Sequence, residues 1–232
     1  MKITPILMSK LMITRFTRNL LVGLSISFIA VFGTADAQSV KIPFDQNWKE
    51  QGFMRLFSNE YDLQDQQLDI ISDGTVSVLW RPVDAAQERT KQASWDWSVT
   101  KGVGPTDLTA RGGDDRNLAM YFVFVDPESA EQLNRTSARK LLSNPKAKAL
   151  IYVWGGIHPN GSLLPSPYAP GLKTKILRTV ETGNFSETVN IDQDFVAAFG
   201  NTPKTLVGLA VSADSDDTDG FISGSIRDLS LQ

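Results

Sequence analysis

Two acidic turns hold most of the side chains in this chain that could do chemistry. Gly112-Gly113-Asp114-Asp115 precedes the apolar run 118–125, and Asp214-Ser215-Asp216-Asp217-Thr218-Asp219-Gly220 follows the apolar run 206–211. Carboxylates crowded beside buried strands repel one another unless water, a cation or a polar ligand bridges them. Each turn is therefore either ordinary turn chemistry, with Asp closing on nearby amides and Gly supplying positive torsions, or a seat for a cation or a sugar hydroxyl. Asp114 and Asp115 are adjacent, so on an extended backbone they point to opposite faces and do not act as a pair. The second turn fails as an EF-hand in both registers. Counting from Asp214 puts Asp219 at the sixth position, where Gly is needed, and counting from Ser215 puts Ile226 at the twelfth, where Glu is needed. A looser oxygen cage stays open, with Asp214, Asp216 and Asp217 as candidate ligands for calcium, the one cofactor these residues point to.

Aromatic residues supply a second kind of candidate. The chain has five tryptophans: Trp48, Trp80, Trp95, Trp97 and Trp154. An indole face stacks on the apolar face of a sugar ring, whereas an aromatic on an alternating strand packs in a core by default. Trp154 is the best placed for exposure, because it closes its strand beside the long loop 155–161, which runs on through Pro165, Pro167, Tyr168 and Pro170. The candidate ligand-binding set is thus Trp97, Asp114, Asp115, Trp154, Asp214 and Asp217. His158 is the single histidine, which excludes a multi-histidine metal site and leaves it only the role of a lone base. A glycosidase-like pair can be drawn from Asp114, Asp115, Asp214, Asp216 and Asp217, provided that two carboxyls stand about 5–9.5 Å apart. No dinucleotide, phosphate-loop, zinc-protease or nucleophile-elbow motif occurs.

The elements that must position these residues read as strands. Short runs rich in branched and aromatic residues, punctuated by Gly, Pro, Asn and Asp, fall at 53–57, 68–71, 76–81, 94–99, 118–125, 149–154, 174–180, 206–212 and 221–231, the last with a break at Gly224. Helices are expected over 129–142, rich in good formers and stopped by Pro145, and over 192–199, with an acidic start and Gly200 as a left-handed cap. Without a regular strand–helix alternation, the pattern predicts an all-β, antiparallel two-sheet sandwich of the jelly-roll kind with two short helices. Runs 118–125 and 149–154 are apolar on both faces, as central strands covered on both sides are. In 94–99 the faces differ, with Trp95, Trp97 and Val99 on the dry one.

The amino-terminal segment reads as an export signal. Lys2, Lys10, Arg15 and Arg18 precede the apolar stretch 20–32, and Ala35-Asp36-Ala37 fits a signal-peptidase site, so residues 1–37 are expected to be removed and 38–232 to form one domain, periplasmic or secreted. The apolar stretch is shorter than the about 20 residues a membrane span needs, so no stable insertion is expected after cleavage. Removing residues 1–37 takes away four basic residues and one acid, leaving 19 basic against 25 acidic residues and a net charge of −6. That balance argues against nucleic acid as a partner and leaves neutral or cationic ligands open. With no cysteine, neither disulfides nor thiol chemistry is available.

The order and spacing of Trp95-Asp96-Trp97-Ser98-Val99, Gly113-Asp114-Asp115, Phe122-Val123-Phe124, Ile151-Tyr152-Val153-Trp154-Gly155, Asp194-Phe195 to Phe199-Gly200 and Asp214-Ser215-Asp216-Asp217-Thr218 resemble the bacterial exported family called domain of unknown function 3047. The resemblance spans nearly all of the chain after the leader. It departs at Asp217, where the family pattern has Asn, which adds a negative charge to the second turn. The resemblance implies export and a single domain, and it transfers no reaction and no catalytic residue. The functional expectation is an exported non-catalytic domain that binds a carbohydrate or another cell-envelope component such as a polysaccharide. A glycan hydrolase or lyase using carboxylates or His158, and a structural envelope protein held by an open sheet edge, are the alternatives.

Overall fold

In the computed structural model, which describes residues 39–52, 57–133, 140–141, 144–202 and 205–232, the branched and aromatic runs form thirteen strands. They are β1 (Val40–Lys41), β2 (Lys49–Gly52), β3 (Glu60–Gln64), β4 (Gln67–Asp73), β5 (Val76–Pro82), β6 (Gln92–Lys101), β7 (Arg116–Val125), β8 (Lys148–Trp154), β9 (Leu163–Pro165), β10 (Leu172–Arg178), β11 (Gly183–Asn190), β12 (Thr205–Asp214) and β13 (Phe221–Leu231). One sheet runs β11-β6-β13-β4-β3, with β1 also paired to β13, and the other runs β2-β5-β12-β7-β8-β10-β9. The helices are α1 (Pro127–Leu133) and α2 (Ile191–Phe199), with a short 3₁₀ turn at Ala85–Gln87. Among the described residues, no helix is long and apolar enough to cross a membrane.

The second sheet is mixed, which corrects the antiparallel expectation: β8 and β10 pair in parallel, Leu172 opposite Ala149 and Ile176 opposite Val153. A parallel pair needs a crossover of a dozen or more residues. Residues 155–171 are that crossover; they carry β9, which folds back antiparallel onto β10.

Alternation along the central strands builds two apolar layers. Leu118, Met120, Phe122 and Phe124 of β7 and Leu150, Tyr152 and Trp154 of β8 join Trp95, Trp97, Ile222 and Ile226 of the first sheet in one core. The opposite faces carry Ala119, Tyr121, Val123 and Val125 of β7 with Ile151 and Val153 of β8, and these pack in a second cluster with Val78, Trp80 and Leu108. Both strands are therefore covered on both sides, as their sequences predict. α2 begins where Asn190 accepts a hydrogen bond from the Gln193 amide at 3.0 Å, and it ends at Gly200, whose φ of 71° is the left-handed cap.

Expected runs 68–71, 76–81, 94–99, 118–125, 149–154 and 206–212 fall inside β4, β5, β6, β7, β8 and β12. Run 174–180 passes the end of β10 at Arg178. β13 does not break at Gly224; it only shifts register there against β6. Strands β1, β2, β3, β9 and β11 are additions. Four of these, β2, β3, β9 and β11, lie at sheet edges, where one strand neighbour is missing and polar sequences such as Lys49-Glu50-Gln51-Gly52 suffice. The expected helix 129–142 starts earlier, at Pro127, a residue suited to a first helical turn; its positions 134–139 and 142, the run 53–56 and the leader 1–37 lie outside the described residues.

Close approach fixes one glycine. A Cβ on Gly208 of β12 would overlap the indole of Trp80 on the neighbouring β5. Gly208→Ala is expected to lower stability by about 1–3 kcal/mol through overpacking, read as a lower urea midpoint at unchanged slope; an unchanged midpoint would show that Trp80 moves aside freely.

Candidate functional site

The two acidic turns meet. β7 and β12 are antiparallel neighbours, so the start of one lies beside the end of the other, and Arg116 pairs with Asp214 in register. Between that pair and Ser212–Ala119 the register shifts, with one more residue on β7 than on β12. A bulge of this kind turns the chain by one side-chain position. It places Arg116 on the outer face with Tyr121, whose hydroxyl accepts from Arg116 Nη2 at 2.8 Å.

From there Arg116 reaches both turns. Its Nη1 lies 3.4 Å from Asp114 Oδ2 and 2.9 Å from Asp214 Oδ2. Burial works to lower its pKa, but Tyr121, Asp214 and Asp114 outweigh that and hold it above its ordinary value, so the guanidinium stays charged. Asp115 turns the other way. Its carboxylate accepts from the amide of Asp217 at 3.3 Å and from the amide and hydroxyl of Thr218 at 2.8 and 2.5 Å. The pair is thus divided: Asp115 fastens the second turn to the first, and Asp114 faces outward.

Asp114, Arg116, Asp214, Asp216 and Asp217 line a cavity of about 400 Å³ together with apolar residues that include Val76, Val78, Ile151 and Leu172. That volume suits a small ligand. The crossover between β8 and β10 closes it: Tyr168, half exposed, donates its hydroxyl to Asp114 Oδ1 at 2.6 Å, and the Arg111 guanidinium lies 5.4 Å from its ring centre. Burial and the bond to Asp114 push the Tyr168 phenol up to about 12, so it remains a donor.

Asp214 is the unusual group. Its Oδ1 is buried without a hydrogen-bond partner, while Oδ2 meets Arg116. Burial, opposed by Arg116 and reinforced by Asp216 and Asp114, pushes its pKa up to about 9, so Asp214 holds a proton at neutral pH. Asp217 is raised as well, by partial burial and then by Asp216, Asp115 and Asp114.

The other sequence candidates lie elsewhere. Trp97 and Trp154 are corrected: both are completely buried between the sheets, 5.4 Å apart centre to centre, so neither offers a face to a ligand. Their indole nitrogens donate inside the protein, Trp97 to Glu187 Oε1 at 3.0 Å and Trp154 to the Glu181 carbonyl at 3.1 Å. Trp154 ends its strand next to a loop, but strand alternation turns it inward with Tyr152 and Leu150. His158 sits with Nε2 3.5 Å from Asp107 Oδ1 and is not among the residues lining the cavity. The calcium set also differs: among the described residues, the carboxyls able to share one ion are those of Asp115, Asp216 and Asp217, within 4.8 Å. Asp214 is withdrawn from that group by its pairing with a guanidinium. Arg116, Tyr121 and Tyr168 were not candidates. Arg116 follows Asp115 directly, but without the bulge simple alternation sends it to the core side; Tyr168 lies in the loop singled out for binding, with nothing in its spacing to mark it.

The geometry is that of a mostly β, two-sheet protein with a polar-ended cavity on the outer face of one sheet. The chain belongs to the family described as "Protein of unknown function (DUF3047)", whose model matches residues 46–230. No curated protein matches the sequence. Among solved structures, the chain is similar to the xyloglucanase domain of NopAA, a type three effector from Sinorhizobium fredii, in complex with cellobiose, at 10% identity over 80% of this chain and 92% of that one, TM-score 0.44. It is similar to the family 11 xylanase from Neocallimastix patriciarum at 12% identity over 84% of this chain and 100% of that one, TM-score 0.41. A third is a thermo-stable cellulase derived from Cel12A of Rhodothermus marinus, at 12% identity over 84% and 99%, TM-score 0.41. None of these likenesses carries a residue or a reaction over to this chain.

The raised Asp214 has a stability consequence. Its ordinary value is 3.8 and its folded value about 9, so between these the folded state binds a proton that the unfolded state lacks. The contribution is complete at low pH and is lost as pH rises through that window. Asp214→Asn removes the loss: its melting temperature should exceed that of the unsubstituted chain by a margin that is small at about pH 4 and grows to several degrees at about pH 8. A margin that shrinks with pH across a series of thermal melts would contradict the assignment.

Proposed function

We propose that this chain is an exported, jelly-roll-like β-sandwich that binds a saccharide of the cell envelope in the cavity beside Arg116 without chemically altering it. One observation carries the reading: the cavity joins apolar walls at Val76, Val78, Ile151 and Leu172 to an end crowded with Asp114, Asp214, Asp216 and Asp217. Apolar walls and the Tyr168 ring accommodate the C–H face of a sugar ring, and carboxylates accept hydrogen bonds from its hydroxyls. The charged leader and apolar stretch of residues 1–37 support export.

Calorimetric titration with envelope and plant-wall oligosaccharides should give saturable binding. Asp216→Ala should weaken it by about tenfold or more, the value of a hydrogen bond to a charged group, and Tyr168→Ala by up to about tenfold, the value of a ring contact. No binding to any saccharide, or binding indifferent to both substitutions, removes the reading.

Hydrolysis is a second reading, favoured by Asp214, a carboxyl kept protonated beside Asp216 as a general acid would be. It expects new reducing ends from the bound oligosaccharide and their loss in Asp214→Asn; the binding reading expects none.

A further inference from the structure

Charge at the acidic end of the cavity is unbalanced. Arg116 is the one cation among its lining residues, against the carboxyls of Asp114, Asp216 and Asp217 and a fourth, protonated one at Asp214. Its Nη1 already serves Asp114 and Asp214, and its Nη2 serves Tyr121 and Ser212. Among the described residues, no ion pair reaches Asp216 or Asp217.

Independently, one buried carboxyl oxygen receives no donor from the protein. The side chain of Asp214 keeps only 9% of its surface exposed, and its Oδ1 is buried with no hydrogen-bond partner. The proton that Asp214 holds at neutral pH stands in for that donor, and an ammonium entering from the cavity can take its place and let the carboxyl ionise. The excess negative charge selects what kind of donor: a cation is drawn in, and an anion is repelled. The same lining carries apolar side chains, of which Val78, Leu108 and Ile151 belong to the outer layer of the second sheet. A ligand that satisfies both kinds of lining has an apolar ring face and a protonated amine.

We infer that the cavity prefers a saccharide bearing a free amine, a hexosamine that has not been N-acetylated, with its ammonium placed among Asp214, Asp216 and Asp217. This rests on the saccharide reading above and names its substrate class. The amine supplies three donors to acceptors that a hydroxyl, with one donor, satisfies less well. An N-acetyl group removes the charge and brings a carbonyl oxygen into a nest of carboxylates.

The test titrates the full chain, in parallel, with glucosamine oligomers, the same oligomers N-acetylated, and spermidine as a cation without a sugar ring, at a pH where the amines are protonated. The expected result is binding of the glucosamine oligomer about tenfold or more tighter than its N-acetylated form, with the difference shrinking as salt rises. Asp216→Asn/Asp217→Asn should abolish that difference, read as the ratio of the two affinities measured on the same variant. Should the double substitution fail to fold, Asp217→Asn alone, at an exposed position, should reduce the difference. Equal or tighter binding of the N-acetylated oligomer overturns the inference and leaves the saccharide reading standing. Spermidine binding as tightly as glucosamine oligomers overturns it too, by making the ring irrelevant. If no oligosaccharide binds, the saccharide reading falls and the inference with it.

Discussion

The guanidinium of Arg116 lies between Asp114 and Asp214, and the arrangement of both acidic turns follows from it. A charge taken out of water this way is tolerated only when its donors are used and its sign is compensated. Tyr121, on the same strand, and Ser212, on the neighbouring β12, accept from its Nη2. Remove the positive charge and two carboxyls face each other across a low-dielectric gap with Asp216 and Asp217 behind them. The bulge at the start of β7 is what permits the arrangement, because the extra residue turns Arg116 away from the core and toward the partner strand's carboxyl.

That bulge also marks where sequence reasoning reaches its limit. Periodicity locates β4 to β8 and β12 because each buries at least one apolar face, and burial is what an alternating pattern records. It passes over β3 and β11, whose polar residues form backbone ladders at sheet edges with little apolar side-chain burial. The acidic turns are visible in the sequence through their composition, and their meeting is not, since that depends on which strands become neighbours. Arg116 is hidden for a subtler reason: period-two counting from Tyr121 assigns it the wrong face as soon as one residue is added. Tyr168 reaches the cavity only because β8 and β10 run parallel and oblige the chain to cross over between them.

The tryptophans follow a different logic from the carboxyls. Trp95 and Trp97 meet Tyr152, Phe122 and Trp154 in a continuous aromatic layer between the sheets, with centre distances of 5.4–6.3 Å. Large rings of this kind fill the space between two twisted sheets with few rotatable bonds, in a chain that has no cysteine to cross-link it. Glu187 stands at the margin of this layer, accepting from both Trp97 and Arg178, so even its polar edge is occupied by internal bonds. The aromatic wealth of the chain therefore builds the platform, and the cavity lies on the opposite face of the second sheet.

Asp115 has a further meaning as a long-range clasp. Its bonds to the Thr218 amide and hydroxyl join positions 103 apart in the chain. Contacts of that separation carry a loop-closure cost that is met only after the intervening strands are in place. The cavity's acidic end has no existence in a partly assembled chain: its two halves are brought together by the same step that seats β12 against β7. Assembly of the cavity's acidic lining and completion of folding are, in this molecule, a single event.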